Sequence, residues 1–522
     1  MINHNKVVST LSGFLLTPLL LWSALPGKFQ FWFLLPIALV PFLFWLDQAK
    51  SLKTAALRGF LCGFFLHIFL LYWIVSVLVT FGGIPWVGAV PLMLLLCCYM
   101  AGYLVIFSLL YFWQRTYLPG WLLFVTIPCS WVAMDWVRSW AFGGFPWMDL
   151  GYGLWSIPAT IQFVDITGHY GATFLLLSCN LVIYAWISKK FSFDQRLFAG
   201  IFLILLIYSA FIYSWYRWKD VELKTAVAPR ALIGVVQGNI KQQLKWSAEM
   251  REKTVEKYLN LTTELDAQGA ELVVWPETAV PFYPQHDPLL KRITATLKPV
   301  EITLLTGAPW YNIVTGEDGK RAYEYFNSAQ LIGSQGDFLG SYYKTQLVPY
   351  GEYVPFQEYL PFIKPLVESV GDFTPGTVEK TLETGPMRIG VLICYESIFE
   401  WISRTWSQNG ANVFINLTND AWYGKSSAPY QSWAMTVFRS VENRKATVRA
   451  ANTGISGGID PLGRIIMRSD LFVDWAQIVE TPLLSERTFY NRVGFRFAPA
   501  CAMVTLFALF GCLIWSRLRP KK

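Results

Sequence analysis

Hydrophobic residues fall into two regimes along this chain. Up to about Trp218 they form seven long apolar segments, near Leu11–Leu25, Phe29–Leu46, Leu57–Thr80, Trp86–Trp113, Leu118–Val137, Gly168–Ile187 and Leu197–Tyr216. An eighth lies near Phe497–Trp515. Most approach or exceed the ~20 residues a helix needs to cross a bilayer. The first is short enough for a signal peptide, but no small-residue cleavage site follows it and Lys6 makes only a weak basic region. After Trp218 the pattern changes to short strand-like runs alternating with polar helical stretches, which predicts an α/β domain. Expected strands are Leu232–Gln237, Leu272–Trp275, Ile302–Thr306, Asn327–Ile332, Gly340–Lys344, Ile389–Ile393, Val413–Leu417 and Val448–Asn452. The fourth and fifth read as a hairpin around Gly333–Asp337. A helix is predicted over Trp246–Ala267, with Ser247 as its N-cap.

Charge orients the apolar segments. Lys50, Lys53 and Arg58, then Arg115, then Lys189, Lys190 and Arg196, and finally Arg517, Arg519, Lys521 and Lys522 occupy one set of connections. The alternate connections are poorer, with Lys28 in one and Arg138 in another. The positive-inside rule puts both termini in the cytoplasm and the region from Arg217 to about Arg496 outside, on the periplasmic face in a bacterium. Composition agrees: the 522 residues are 54% hydrophobic and 15% charged, against ~25% charged in ordinary soluble domains. The net charge of +8 does not imply nucleic acid, because many basic residues flank apolar segments instead of lining an aromatic-interleaved groove. In the loop Trp140–Leu150, the run Gly143-Gly144-Phe145-Pro146-Trp147 suits a re-entrant or interfacial loop on the outer side. His67 and His169 lie in the membrane part, where helix packing is the plainer role for each.

Seven of the eight cysteines lie in apolar segments, and Cys394 alone lies between Asn180 and Ala500. It has no partner there for a disulfide or a cysteine zinc site. It follows the buried run Ile389–Ile393 and precedes Tyr395 and Glu396. Two other strands end alike: Leu272–Trp275 runs into Pro276-Glu277, and Ser341-Tyr342-Tyr343 into Lys344. An acid, an amine and a thiol could therefore meet at one sheet edge. Each alone has an ordinary reading, as a small core hydrophobe, a loop carboxylate or a solvated strand end. Together they suggest acyl transfer through a thioester. A thiol of pKa ~8.5 needs activation at neutral pH. His286, in a Pro-flanked loop, is poorly placed for a Cys–His dyad, so a buried Glu277 is the candidate base. Lys344 would favour the thiolate and stabilise an oxyanion.

Trp275-Pro276-Glu277, Tyr343-Lys344 and Cys394-Tyr395-Glu396 resemble the Glu-Lys-Cys motifs of the nitrilase, or carbon–nitrogen hydrolase, superfamily. With eight apolar segments the whole chain resembles the bacterial apolipoprotein N-acyltransferase family. Gln237-Gly238-Asn239, Trp246, Leu347–Glu352, Asn416–Asp420, Arg449–Gly454 and Gly144-Phe145-Pro146-Trp147 add to the likeness. The resemblance implies a membrane α-helical bundle of eight transmembrane helices plus a periplasmic α/β domain with a nitrilase-like αββα sandwich. The expected division is residues 1–217 as seven spans, 218–494 as the catalytic domain, and 495–522 as the eighth span with a cytoplasmic basic tail, in the bacterial inner membrane. The implied reaction moves an acyl chain from a phospholipid, typically phosphatidylethanolamine, to Cys394. From there it passes to the α-amino group of the S-diacylglyceryl-cysteine at a lipoprotein's N-terminus. Glu277 would be the base in both steps, and Lys344 would stabilise the tetrahedral intermediates. Glu352 would orient Lys344 or the thiol, and Tyr395 and Glu396 would shape the pocket. Trp246, with Tyr350 and the aromatic loop 350–362, would admit or cover acyl chains. No metal or other cofactor is implied, nothing requires more than a monomer, and nucleic acid is no partner. The choice of an amine over water as acceptor comes from the family alone. A membrane-tethered amidase with the same three residues, a transporter with an accessory domain and an inactive scaffold remain as alternatives.

Overall fold

The computed structural model describes residues 12–241, 248–315, 320–353 and 373–518. Trp246, Ser247, most of the aromatic loop 350–362 and the basic residues beyond Leu518 lie outside these. The chain divides into two compact units. One comprises Met1–Lys219, Ser426–Phe438 and Arg492–Lys522; the other comprises Asp220–Lys425 and Arg439–Asn491.

The first unit is helical. Among the described residues, five helices are long and apolar enough to cross a membrane: Leu52–Leu71, Trp86–Tyr117, His169–Ser188, Phe193–Val227 and the segment Gly494–Arg517. The apolar stretch expected near Phe29–Leu46 is not one helix. It breaks into a single 3-10 turn, Trp32–Leu34, and a short helix, Val40–Asp47. Pro36 and Pro41 explain the break, since each removes a backbone donor and clashes with the preceding turn. The stretch near Leu57–Thr80 is likewise two helices, Leu52–Leu71 and Ile74–Thr80, and Leu123–Arg138 has only 16 residues. Ser51 caps Leu52–Leu71 by accepting from the Thr54 amide at 3.2 Å. Gly59 and Gly63 lie one turn apart on that helix. A Cβ at Gly59 would lie 2.5 Å from the Leu104 carbonyl, and one at Gly63 would lie 2.9 Å from Ala101 Cα. This small-residue face lets two apolar helices approach closely, as helices in lipid tend to do.

The second unit is built on two six-stranded sheets. The strands are β1 Arg230–Gln237, β2 Leu272–Val274, β3 Thr303–Thr315, β4 Arg321–Ile332, β5 Phe338–Tyr343, β6 Leu382–Thr384, β7 Met387–Ile393, β8 Val413–Thr418, β9 Ala446–Ala451, β10 Gly457–Ile459, β11 Ile465–Arg468 and β12 Trp475–Pro482. One sheet has the order β12-β1-β2-β3-β4-β5 and the other β11-β10-β9-β8-β7-β6. Parallel pairing runs β1–β2–β3 in the first and β7–β8–β9 in the second. The central strands are buried and rich in Val, Ile and Leu, as parallel strands covered on both faces must be. The third and fourth strands are longer than expected from sequence. They continue as an antiparallel hairpin from Leu304↔Ile332 to Thr315↔Arg321, whose far half exposes Ile313, Tyr323 and Tyr325. Three strands near the C-terminal end of the unit were not expected at all. Of these, β12 pairs along the whole of β1 and so covers an edge that would otherwise present unpaired amides.

Candidate active site

Three strand ends position the acid, the amine and the thiol. After β2 the chain continues through Trp275, whose amide still bonds the Leu305 carbonyl at 2.9 Å. The Trp275 ring stacks on Tyr258 at 5.0 Å and its indole nitrogen donates to Thr262 at 2.9 Å. That anchor fixes the turn carrying Glu277. The turn crosses β3 at Gly307, where a Cβ would lie 2.5 Å from the Thr278 nitrogen and 2.6 Å from Glu277 Cα; only glycine admits so close a crossing. Lys344 follows β5, its amide bonded to the Asn327 carbonyl at 2.9 Å. Cys394 follows β7 with φ +53° and opens a 3-10 turn, Cys394–Ile398. The left-handed backbone turns the nucleophile candidate sharply off its strand, at a steric cost typical of functional positions.

The side chains form one buried cluster. Lys344 Nζ lies 3.5 Å from Glu277 Oε1 and 2.9 Å from Glu352 Oε2. Lys344, Glu277 and Glu352 are all buried. Burial alone would lower the Lys344 pKa, but Glu352 and Glu277 outweigh it and hold the amine well above its ordinary value, firmly as ammonium. Cys394 is close enough to both partners to feel their charges. Burial pushes its thiol up, Glu277 adds to that, and Lys344 acts against it, leaving a pKa of about 12. At neutral pH the resting group is therefore a thiol that needs a base, and Glu277 is the carboxylate beside it.

Asn327, which sequence reasoning missed as a site residue, joins the two carboxylates. Its Nδ2 donates to Glu277 Oε1 at 2.8 Å and to Glu352 Oε1 at 2.7 Å. Its only signal in the sequence is a polar residue opening an otherwise mostly apolar strand. Glu352 also accepts from the Val348 amide at 2.8 Å, so the loop after Lys344 folds back onto the ammonium. Glu396 is fully buried and accepts from Tyr342 Oη, the amides of Thr345 and Gln346, and the Ile393 amide at 2.7–3.1 Å. Burial still pushes its carboxyl up to about 7. It binds the loop after Lys344 to the turn at Cys394 and thereby joins the two sheets. Tyr395 is buried edge-on against Phe399 at 5.0 Å. Tyr350 is exposed with φ +59°. Trp147 belongs to the helical unit, where it is buried, donates to Gln431 at 2.8 Å and lies 4.9 Å from the Trp73 ring. Gln237 and Asn452 are clamps: Gln237 accepts from Ser456 and Ser469, and Asn452 holds both the amide and the carbonyl of Ile240.

Comparison with known proteins covers both units. Residues 18–182 match the family model described as apolipoprotein N-acyltransferase N-terminal domain, and residues 232–483 match that of carbon-nitrogen hydrolase. An apolipoprotein N-acyltransferase from Geobacter metallireducens is 38% identical over 454 residues, 87% of this chain and 86% of the relative. The chain belongs to the apolipoprotein N-acyltransferase family. A second apolipoprotein N-acyltransferase, from Rickettsia bellii, is 36% identical over 81% of this chain and 82% of its own length. Among solved structures, an amidase of the nitrilase superfamily from Nesterenkonia is 20% identical, with 49% of this chain and 93% of that chain covered and a TM-score of 0.36. In this N-acyltransferase the carbon-nitrogen hydrolase match contains the whole Glu277–Lys344–Cys394 cluster, whereas Trp147 falls in the N-terminal match.

Proposed function

We propose that this enzyme takes a fatty acyl chain from a phospholipid onto Cys394 as a thioester. It then passes the chain to the α-amino group of a lipoprotein's N-terminal S-diacylglyceryl-cysteine. N-acylation of lipoproteins follows from family membership; the donor, the thioester and the residue roles are the proposal. The observation that carries it is the buried contact of Lys344 Nζ with Glu277 at 3.5 Å and with Glu352 at 2.9 Å, beside a thiol whose pKa both Glu277 and Lys344 alter.

In the first step Glu277 takes the thiol proton and sulfur attacks the ester carbonyl carbon. The oxyanion forms beside the Lys344 ammonium, which needs no reorganisation to receive it. Collapse breaks the ester C–O bond, Glu277 returns its proton to the departing alkoxide, and a lysophospholipid leaves. In the second step the amine nitrogen attacks the thioester carbon. Glu277 takes the amine proton, the C–S bond breaks, and the proton returns to sulfur. Glu352 and Asn327 hold Lys344 and Glu277 in register throughout.

The same reading assigns eight spans, an αββα arrangement of the two sheets, and residues 1–217, 218–494 and 495–522 as membrane domain, periplasmic catalytic domain and final span with tail. It puts the enzyme in the bacterial inner membrane as a monomer with both termini cytoplasmic and phosphatidylethanolamine as donor. Lipid-anchored substrates favour a site at the outer leaflet. Hydrating a whole acyl chain would cost about 0.8 kcal/mol per CH₂, on the order of 10 kcal/mol in all.

Purified enzyme given phospholipid with a labelled acyl chain should acquire a hydroxylamine-sensitive adduct on Cys394. A diacylglyceryl-cysteine peptide should then discharge it. Cys394→Ala should carry no adduct, and Glu277→Gln should form it about 10²–10⁴-fold more slowly. Label on the wild-type enzyme that the peptide never removes would favour water as acceptor. Equal labelling of wild type and Cys394→Ala would end the thioester proposal.

A further inference from the structure

A second buried chain of polar groups lies behind the thiol, on the side of β8 and β9. Ile393 of β7 is in register with Leu417 of β8, so Cys394 and Thr418 leave their strands side by side. Thr418 Oγ1 donates to Asp420 Oδ1 at 2.9 Å, and Asp420 Oδ2 accepts from Arg449 Nη2 at 2.8 Å. All three residues are buried. The carboxylate reaches this place because residue 454 is glycine: a Cβ there would overlap Asp420. A hydrogen-bond interaction between the Thr418 and Cys394 side chains favours the ionised sulfur, whereas the Asp420 charge opposes it.

Asp420 is thus an unhelpful neighbour for a thiolate unless something stands between them. The Arg449 guanidinium offsets its charge at one carboxylate oxygen, and the Thr418 hydroxyl is bonded to the other. A hydroxyl has one proton and can turn about its C–O bond. With a neutral thiol, the best acceptor is the Asp420 carboxylate. With a thiolate, the sulfur competes for the same proton, and Arg449 keeps the carboxylate partnered when the hydroxyl turns away.

Taking Cys394 as the acyl carrier proposed above, we infer that Thr418 donates a hydrogen bond to the Cys394 thiolate, turning from Asp420 to sulfur as the thiol ionises. Asp420 and Arg449 are positioning residues that set the hydroxyl's resting direction. The same bond stabilises sulfur when it departs from the thioester in the second step.

Two near-isosteric changes separate this role from packing. Thr418→Val keeps the shape and removes the hydroxyl; Thr418→Ser keeps the hydroxyl and removes a methyl group. The rate of adduct formation from labelled phospholipid, measured at fixed pH on full-length enzyme, should fall about 10- to 100-fold in Thr418→Val, the worth of a hydrogen bond to a charged group. It should stay within about threefold of wild type in Thr418→Ser. Thr418→Ala carries the same test if the valine variant does not fold, with Thr418→Ser again expected to keep the activity. A valine variant as fast as wild type, or a serine variant as slow as the one lacking the hydroxyl, overturns the inference. Absence of label on wild-type Cys394 would instead sink the thioester reading on which it rests.

Discussion

Cys394 is a buried thiol with an elevated pKa, and that single property sets how it should respond to pH. With the thiol near 12, the thiolate fraction rises about tenfold per pH unit throughout the range in which the protein can be handled. In Glu277→Gln, which has no carboxylate to take the proton, the rate of Cys394 alkylation by a small neutral reagent should therefore climb about tenfold per unit from pH 7 to 9. A plateau below pH 8 in that variant would show a preformed thiolate and remove the need for Glu277 as base. The strand-end placement of the three candidate residues was legible in the sequence. Glu277, Lys344 and Cys394 each come at or just after the end of an expected strand, and a strand end is a local feature. Asn327 was not legible as a site residue, because its two acceptors lie 50 and 25 positions away. Nothing in its neighbourhood records that it donates to both.

At the scale of elements, the candidate site depends on a turn and a strand passing almost in contact. The turn after β2 touches β3 at Gly307, with only 2.5 Å between a would-be Cβ and the Thr278 nitrogen. Gly307→Ala should push Glu277 away from Lys344 and lower the rate of adduct formation at least tenfold, while destabilising the protein by about 1–3 kcal/mol, as overpacking does. Thermal unfolding and adduct kinetics measured on the same sample would check both parts. A variant with wild-type kinetics would show that the turn has room to shift. The hairpin of β3 and β4 illustrates what element-level reading missed. Its far half pairs from Trp310↔Phe326 to Thr315↔Arg321, but it exposes Ile313, Tyr323 and Tyr325 on the surface, so it lacks the apolar run that marks a core strand. The three late strands β10, β11 and β12 were missed for a related reason. The first has three residues, and β12 gains its place from β1, more than two hundred positions earlier.

For the molecule as a whole, the proposed orientation makes opposite demands on two surfaces. Lys380 is exposed on the sheet-containing unit, whereas the described chain ends in an apolar helix, Phe497–Leu518, with Arg517 in its last turn. In a background with the native cysteines replaced, Lys380→Cys in intact spheroplasts should react with a membrane-impermeant maleimide. A cysteine placed after Leu518 should react only after permeabilisation. The reverse pattern would invert the proposed topology and put the thiol on the cytoplasmic side.

The sequence by itself determined the apolar helical part, the α/β part and the three strand-end residues. Each is written in local periodicity or in a few adjacent residues, and local steric and hydrophobic rules suffice to read it. Only the tertiary structure decided that Asn327 bridges two carboxylates, that Glu396 joins two loops, and that Thr418, Asp420 and Arg449 line up behind the sulfur. Those outcomes depend on strand register and on contacts between residues tens to hundreds of positions apart. Such contacts are set by how the whole core closes, and no short stretch of chain specifies them alone.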